Sequence, residues 1–184
     1  MKILLIDPMR RADSFLHPPM SLLSVSMAAR AAGHEVEIID VPYLLDKFHD
    51  RYSILDNSIF DYILSKDCDI LGVSGHVNSY FFYDAFIRKY RAVKKDVPIV
   101  VGHSLGEPNK EVWEKHNPVD YLVEGYGEVV IQRLLDGLEK KDYEAVRKIP
   151  GLHYLKDGHY QRNPVEPIAD INKIPYLDFD EIDA

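Results

Sequence analysis

The chain has 184 residues, 46% of them hydrophobic and 28% charged, enough for one domain with a sizeable buried core. Its formal charge of -8 excludes nucleic acid and anionic membrane surfaces as main partners, because both need a basic footprint. A single cysteine, Cys68, excludes a disulfide framework, a thiolate zinc site and an iron–sulfur cluster held by this chain. No stretch approaches the roughly 18 apolar residues of a membrane span, and the N-terminal apolar run is too short for a signal peptide, so the expected compartment is the cytoplasm.

Residues 3–6 (Ile-Leu-Leu-Ile) form a short apolar run of the kind found in strands buried on both faces. After Pro18-Pro19, residues 20–32 are rich in Leu, Met and Ala and close on Gly33, which predicts a helix with proline before it and glycine just past its end. Residues 36–39 are the second strand. Residues 42–56 have no clear period and read as a loop, followed by a helix over 58–64 and a third strand over 70–73. Tyr80, Tyr83, Phe86, Ile87 and Tyr90 recur at helical spacing, which sets one aromatic stripe against a sheet. The basic cluster Arg88-Lys89-Tyr90-Arg91 with Lys94-Lys95 lies on that helix and reads as its solvated face.

A fourth strand is expected over 99–101, a short helix over 108–116, a fifth strand over 121–123 and an amphipathic helix over 129–138. Strands alternating with helices imply a parallel sheet with right-handed crossovers. The expected architecture is a doubly wound, flavodoxin-like α/β fold with five parallel strands in the order 2-1-3-4-5. Residues 151–155 and 159–162 flank Asp157-Gly158 and predict a β-hairpin. Residues 163–184 carry Pro164, Pro167 and Pro175 without periodicity and read as an extended tail. The expected division is a domain over 1–148, then a hairpin and linker over 149–184 leading into a longer protein.

Strand C-terminal ends in such a sheet open onto one edge, where ligands bind. The loops expected to meet there contain Asp7, Pro8 and Met9, then Ser74, Gly75 and His76, then Gly102, His103 and Ser104, and finally Glu124, Gly125, Tyr126 and Gly127. Glycines at strand ends let a bulky ligand approach the backbone. Gly125 and Gly127 precede a helix, so backbone N–H groups there suit an anion or amide, although Glu124 and Glu128 oppose a phosphate. Alternatively, Gly127-Glu128 only start the helix. The loop after the first strand lacks the glycines of a dinucleotide fingerprint, and no P-loop pattern occurs, which disfavours NAD and nucleoside triphosphates. The eight histidines are scattered; His76 and His103 can meet across adjacent strand ends, as crevice-liners or as metal ligands. His34 and Cys68 read as structural.

Lys2-Ile3-Leu4-Leu5-Ile6-Asp7-Pro8, Pro18-Pro19-Met20-Ser21-Leu22-Leu23 and Ala31-Ala32-Gly33-His34-Glu35-Val36 resemble the N-terminal cobalamin-binding domain of cobalamin-dependent radical SAM enzymes. The resemblance continues through Asp69-Ile70-Leu71-Gly72-Val73-Ser74, Val100-Val101-Gly102, Asp120-Tyr121-Leu122-Val123-Glu124-Gly125-Tyr126-Gly127-Glu128 and Ile149-Pro150-Gly151-Leu152, in order and over nearly the whole chain. It implies a corrin ring over the strand C-terminal edge, with its nucleotide tail descending between strands past the candidate residues above. It also implies that S-adenosylmethionine and an iron–sulfur cluster belong to a barrel that would follow this chain, most often in a methyltransferase, so that the chain alone is not catalytic. Residues 7–17 lack the Asp-x-His-x-x-Gly pattern that supplies a lower cobalt ligand in methionine-synthase-type domains, so no histidine ligation is expected from the first loop. His103 stands where the family has a second glycine; this leaves a rival reading, a scaffold domain that has lost cobalamin.

Overall fold

A computed structural model of the chain describes residues 1–7, 19–41, 44, 57–75, 80–102, 113–114, 119–168 and 170–178. Its elements are β1 (Lys2–Asp7), α1 (Met20–Ala31), β2 (Glu35–Asp40), α2 (Asn57–Ser65), β3 (Ile70–Ser74), α3 (Tyr80–Val93), β4 (Ile99–Gly102), β5 (Tyr121–Val123), α4 (Gly127–Glu139), α5 (Tyr143–Val146), β6 (Leu152–Lys156) and β7 (His159–Arg162). The sheet order is β2-β1-β3-β4-β5-β6-β7. Its first five strands run parallel in the order expected, and β6 and β7 add antiparallel. Of the helix expected over 108–116, only Trp113 and Glu114 are described, both helical.

The alternation of side chains along each strand divides the core in two. Leu4, Ile6, Leu71, Val73 and Val101 face a layer built by α2 and α3. The aromatic stripe lies within that layer, with Tyr83, Phe86, Ile87 and Tyr90 buried. Ile3, Leu5, Ile70 and Val100 face the opposite layer, where α1 and α4 pack. In α4, Leu134 and Leu135 are fully buried, each contributing about 2 kcal/mol of hydrophobic stabilisation.

Helix α1 stops because Gly33 takes φ +88°, a left-handed conformation that favours glycine. The N–H of Gly33 donates to the Arg30 carbonyl at 2.9 Å and that of His34 to the Ala29 carbonyl at 3.2 Å, a Schellman closure. His34 is buried beside Asp136 of α4, a structural position as its sequence context indicates. Cys68 contacts the Tyr90 hydroxyl at 3.5 Å, and burial pushes its thiol up, away from the reactive thiolate.

Two features go beyond the expected elements. The basic face of α3 is not simply solvated: Arg91 donates to the Val97 carbonyl at 2.7 Å and to Asp120, whose carboxylate also accepts the Ile99 N–H. Helix α5 has no counterpart among the expected elements. Asp142 caps it, accepting the Ala145 N–H at 3.0 Å, a signal carried by a single residue in a segment too short for periodicity.

The hairpin also does more than its sequence indicates. Asp157 and Gly158 both adopt positive φ, +52° and +82°, the turn that Asp-Gly favours. The hairpin then joins the main sheet across the position of residue 148, pairing Val123 with Leu152 and Tyr121 with Tyr154. Tyr160 is buried and donates to the Val119 carbonyl at 2.7 Å. The first part of the tail is held as well: Pro164 accepts the Gly151 N–H at 3.1 Å and Asn163 donates to the Arg147 and Ile149 carbonyls. Among the described residues no helix is long and apolar enough to cross a membrane.

Expressing residues 1–148 alone tests the contribution of the hairpin. Losing the burial of Leu152 and Tyr160 removes about 4 kcal/mol and bares the β5 edge. The expected outcome is broad, non-cooperative thermal melting by circular dichroism and aggregation in size-exclusion chromatography.

Candidate functional site

The site lies on the α1–α4 side of the sheet, near the strand C-terminal ends. Two successive rows of side-chain positions form its base. In the lower row Leu5 pairs with Gly72 and Gly72 with Val100; two residues further along, Ser74 pairs with Gly102. Val123 of β5 stands beside Gly102: a Cβ built on that glycine would lie 3.9 Å from the Val123 Cβ, with nothing else within 4 Å.

A cavity of about 180 Å³ opens above these rows, between α1 and α4. Leu22 and Val25 wall it from α1, Ile131 and Glu128 from α4. The two helices meet closely at its rim. A Cβ on Gly127 would come within 3.1 Å of the Val25 side chain, Ser24 donates a short hydrogen bond to Glu128, and Gln132 donates to the Ala28 carbonyl at 2.8 Å. The helices are therefore tied to each other over a sheet surface that is open above Gly102.

The polar groups of the cavity lie at its mouth. The hydroxyls of Ser21 and Ser74 are 3.2 Å apart and share one hydrogen bond, so one hydroxyl hydrogen remains to be donated elsewhere. Asp7, at the end of β1, accepts from the Tyr83 hydroxyl at 3.4 Å, and the Tyr83 ring occupies the space that a side chain at Gly75 would need.

The β5–α4 loop borders the mouth. Gly125 takes φ +82°, and Val165 of the tail packs where its Cβ would stand, at 2.8 Å. Tyr126 is exposed and Gly127 begins α4. Glu124 is drawn instead toward the hairpin. Its carboxylate accepts from Arg162 Nε at 3.1 Å and Nη2 at 2.9 Å and lies 3.1 Å from Nε2 of the fully buried His153. The Arg162 guanidinium, then the histidine, hold this carboxyl below the usual carboxylate range against the opposing effect of burial. The objection to an anion at this loop therefore loses its Glu124 half, because that charge is compensated in place.

Of the candidate residues, Asp7, Ser74, Gly75, Gly102, Glu124, Gly125, Tyr126 and Gly127 are described and converge on the C-terminal edge of the sheet. Pro8, Met9, His76, His103 and Ser104 lie outside the described residues. Sequence reasoning missed Gly72, Ser21 and Val25. Gly72 carried a readable signal, a glycine inside an otherwise continuous apolar strand, which marks a close backbone approach. A Cβ there would meet the Leu5 side chain at 2.6 Å. Among the described residues no group of three His, Cys, Asp or Glu side chains is placed to hold a metal ion.

The sequence pattern of the B12 binding domain family matches residues 9–135. The chain is 28% identical over 189 residues to an uncharacterised methyltransferase of Pyrococcus horikoshii, covering 98% of this chain and 38% of that protein. It is 24% identical over 166 residues to the anaerobic magnesium-protoporphyrin IX monomethyl ester cyclase of Synechocystis sp., covering 85% of this chain and 31% of that one. Among solved structures, the cobalamin-dependent S-adenosylmethionine radical enzyme OxsB with aqua-cobalamin and S-adenosylmethionine bound superposes with TM-score 0.72 at 19% identity, over 97% of this chain and 24% of that one. The radical S-adenosylmethionine methyltransferase TsrM from Kitasatospora setae, with cobalamin and its iron–sulfur cluster bound, gives 0.69 at 19% identity, over 95% and 30%. At these identities the structural likeness establishes the fold. The chain spans well under half the length of each of these relatives.

The Glu124–Arg162 pair generates a pH prediction. A carboxyl whose folded pKa is lowered adds stability above its unfolded pKa and loses it as pH falls through the folded value. Arg162→Ala is therefore expected to lower the melting temperature by about 2 °C near pH 7. The difference from the parent should shrink below about pH 4, as thermal melts across that range would record.

Proposed function

The chain belongs to the B12-binding domain family, and we propose from that premise that the cavity between α1 and α4 receives the nucleotide tail of cobalamin while the corrin rests on the strand C-terminal edge. The observation that carries this reading is the open space above Gly102, next to a row in which Gly72 lets the Leu5 side chain lie close on the strand, beneath two helices tied together at Glu128. A volume of about 180 Å³ is smaller than the roughly 300–1,000 Å³ of pockets that enclose a whole drug-sized ligand. It suits one aromatic fragment of a larger molecule whose bulk remains outside.

The residues would share the work as follows. Leu5, Val25, Val100 and Ile131 exclude water from the inserted fragment, and the hydroxyl hydrogen left over by the Ser21–Ser74 pair is available to a ring nitrogen. Backbone N–H groups at the start of α4 face the neighbourhood of the tail phosphate, with Arg162 offsetting Glu124 behind them. Asp7, Gly75 and Tyr126 would border the corrin, and Pro8, Met9, His76, His103 and Ser104 are proposed for the same role from their sequence positions alone. In this reading no histidine of the first loop ligates cobalt. Bound cobalamin supplies a cobalt centre able to carry a methyl group, and the protein supplies orientation and shelter.

The wider role we propose is that of a cobalamin-carrying domain in a longer radical SAM enzyme of the methyltransferase type. The barrel of that enzyme would hold S-adenosylmethionine and the iron–sulfur cluster. The relatives support this assignment, as does a chain whose one cysteine is half-buried against Tyr90. The rival reading, a scaffold without cofactor, is served poorly by an open cradle, because a groove released from ligand binding has no reason to keep the space above Gly102 unfilled.

Gly102→Leu provides the test, since the space above Gly102 accepts a side chain without a backbone clash. Purified parent protein mixed with hydroxocobalamin should retain corrin absorbance after desalting. The Gly102→Leu variant should bind at least roughly tenfold more weakly, with circular dichroism and melting unchanged. A parent that retains no corrin would overturn the proposal.

A further inference from the structure

The cavity is polar at its mouth and apolar at its floor, and this division points to a selectivity that cobalamin binding alone does not require. The floor row is Leu5, Gly72 and Val100, closed over by Val25 and Ile131. Every side-chain atom that these residues contribute is carbon. Among the described residues, the lining side chains that carry oxygen are those of Ser21, Ser74 and Glu128. Ser74 ends β3, Ser21 lies at the start of α1 and Glu128 in the first turn of α4, which places all three at the C-terminal edge. The Glu128 carboxylate already accepts from Ser24, and the serines are paired with each other. Backbone groups of the floor strands are engaged in the parallel ladder.

Cobamides share the corrin and differ in the base that ends the nucleotide tail. Some carry a benzimidazole whose outer edge is hydrocarbon; others carry a purine whose outer edge bears an amine and a ring nitrogen. We infer that this groove selects cobamides with a benzimidazole-type lower base and rejects those with adenine. The inference rests on the reading that the tail enters the groove, and it deepens that reading by naming which tails are accepted. A benzimidazole edge on Leu5, Val100 and Ile131 exchanges water for carbon contacts. An adenine edge in the same place gives up its hydrogen bonds to water and finds no partner among the described floor residues. Burying an unpaired polar group costs enough to weaken binding by about ten- to a hundredfold. A carbon-lined pocket discriminates against a ligand that adds a polar group by about a hundredfold, which sets the upper end of that range.

The experiment titrates the purified 184-residue chain with three probes: hydroxocobalamin, the corresponding adenine cobamide, and cobinamide, which has no nucleotide. Binding is read from the visible corrin spectrum. Each apparent dissociation constant is multiplied by the fraction of free probe whose base is already off the metal, so that release of the base from cobalt does not enter the comparison. The expected order is cobalamin tightest, the adenine cobamide at least tenfold weaker, and cobinamide no tighter than the adenine form. Equal corrected affinities for cobalamin and the adenine cobamide, with cobinamide weaker, would overturn the selectivity while leaving the tail in the groove. Cobinamide binding as tightly as cobalamin would remove the tail from the groove, and retention of none of the three would remove the corrinoid reading itself; either result ends the inference with it.

Discussion

Close packing normally leaves no room between a parallel sheet and the helices that cover it, and the two glycine positions on one face of this sheet suspend that rule locally. Gly72 lies between Leu5 and Val100, and Gly102 beside Ser74. With Cβ atoms present, the lower row would collide with the Leu5 side chain and the upper row would fill the cavity mouth. With the Leu5 side chain lying over Gly72 and none at Gly102, α1 and α4 bridge a hollow, supported on either side by Ala28, Leu134 and Leu135. Two links between the helices, Ser24 to Glu128 and Gln132 to the Ala28 carbonyl, hold the roof at fixed height. An unfilled space of this kind costs stability in a fold with nothing to put there. The ligand proposed for this cavity would restore the lost contacts.

The hairpin serves the same site from a distance. By pairing with β5 it removes an exposed strand edge beside the crevice. It also delivers Arg162 and the buried His153 to Glu124, the residue directly before the Gly125-Tyr126-Gly127 loop. A carboxylate that would otherwise repel an anion at the start of α4 becomes an internal anchor of the loop. Val165, against Gly125, extends the anchoring into the tail. The β5–α4 loop, whose Gly125 and Gly127 line the cavity, is thus held by the hairpin and the tail.

The elements themselves were largely legible. Strand runs flanked by helices, Gly33 as a helix stop and Asp157-Gly158 as a hairpin turn all rest on local backbone and burial preferences, which act within a few residues. Less legible was α5, where Asp142 alone marks a four-residue helix. The fate of the basic side chains on α3 was also hidden, because Arg91 finds its carboxylate, Asp120, 29 residues further along the chain.

For the site, the primary structure alone sufficed to place Ser74, Gly102 and the Glu124–Gly127 loop at one edge, because parallel strands with right-handed crossovers open their C-terminal ends together. The partition of that edge into a polar mouth and a carbon floor was decided only in three dimensions. It depends on the register that sets Leu5, Gly72 and Val100 in one row, and on the approach of α1 to α4, more than 80 residues apart in the chain. The turn of Glu124 toward Arg162 was likewise settled by the docking of the hairpin. Local preferences act over neighbouring residues and can be read in order; a cavity is what several distant segments fail to fill, and no single segment records it.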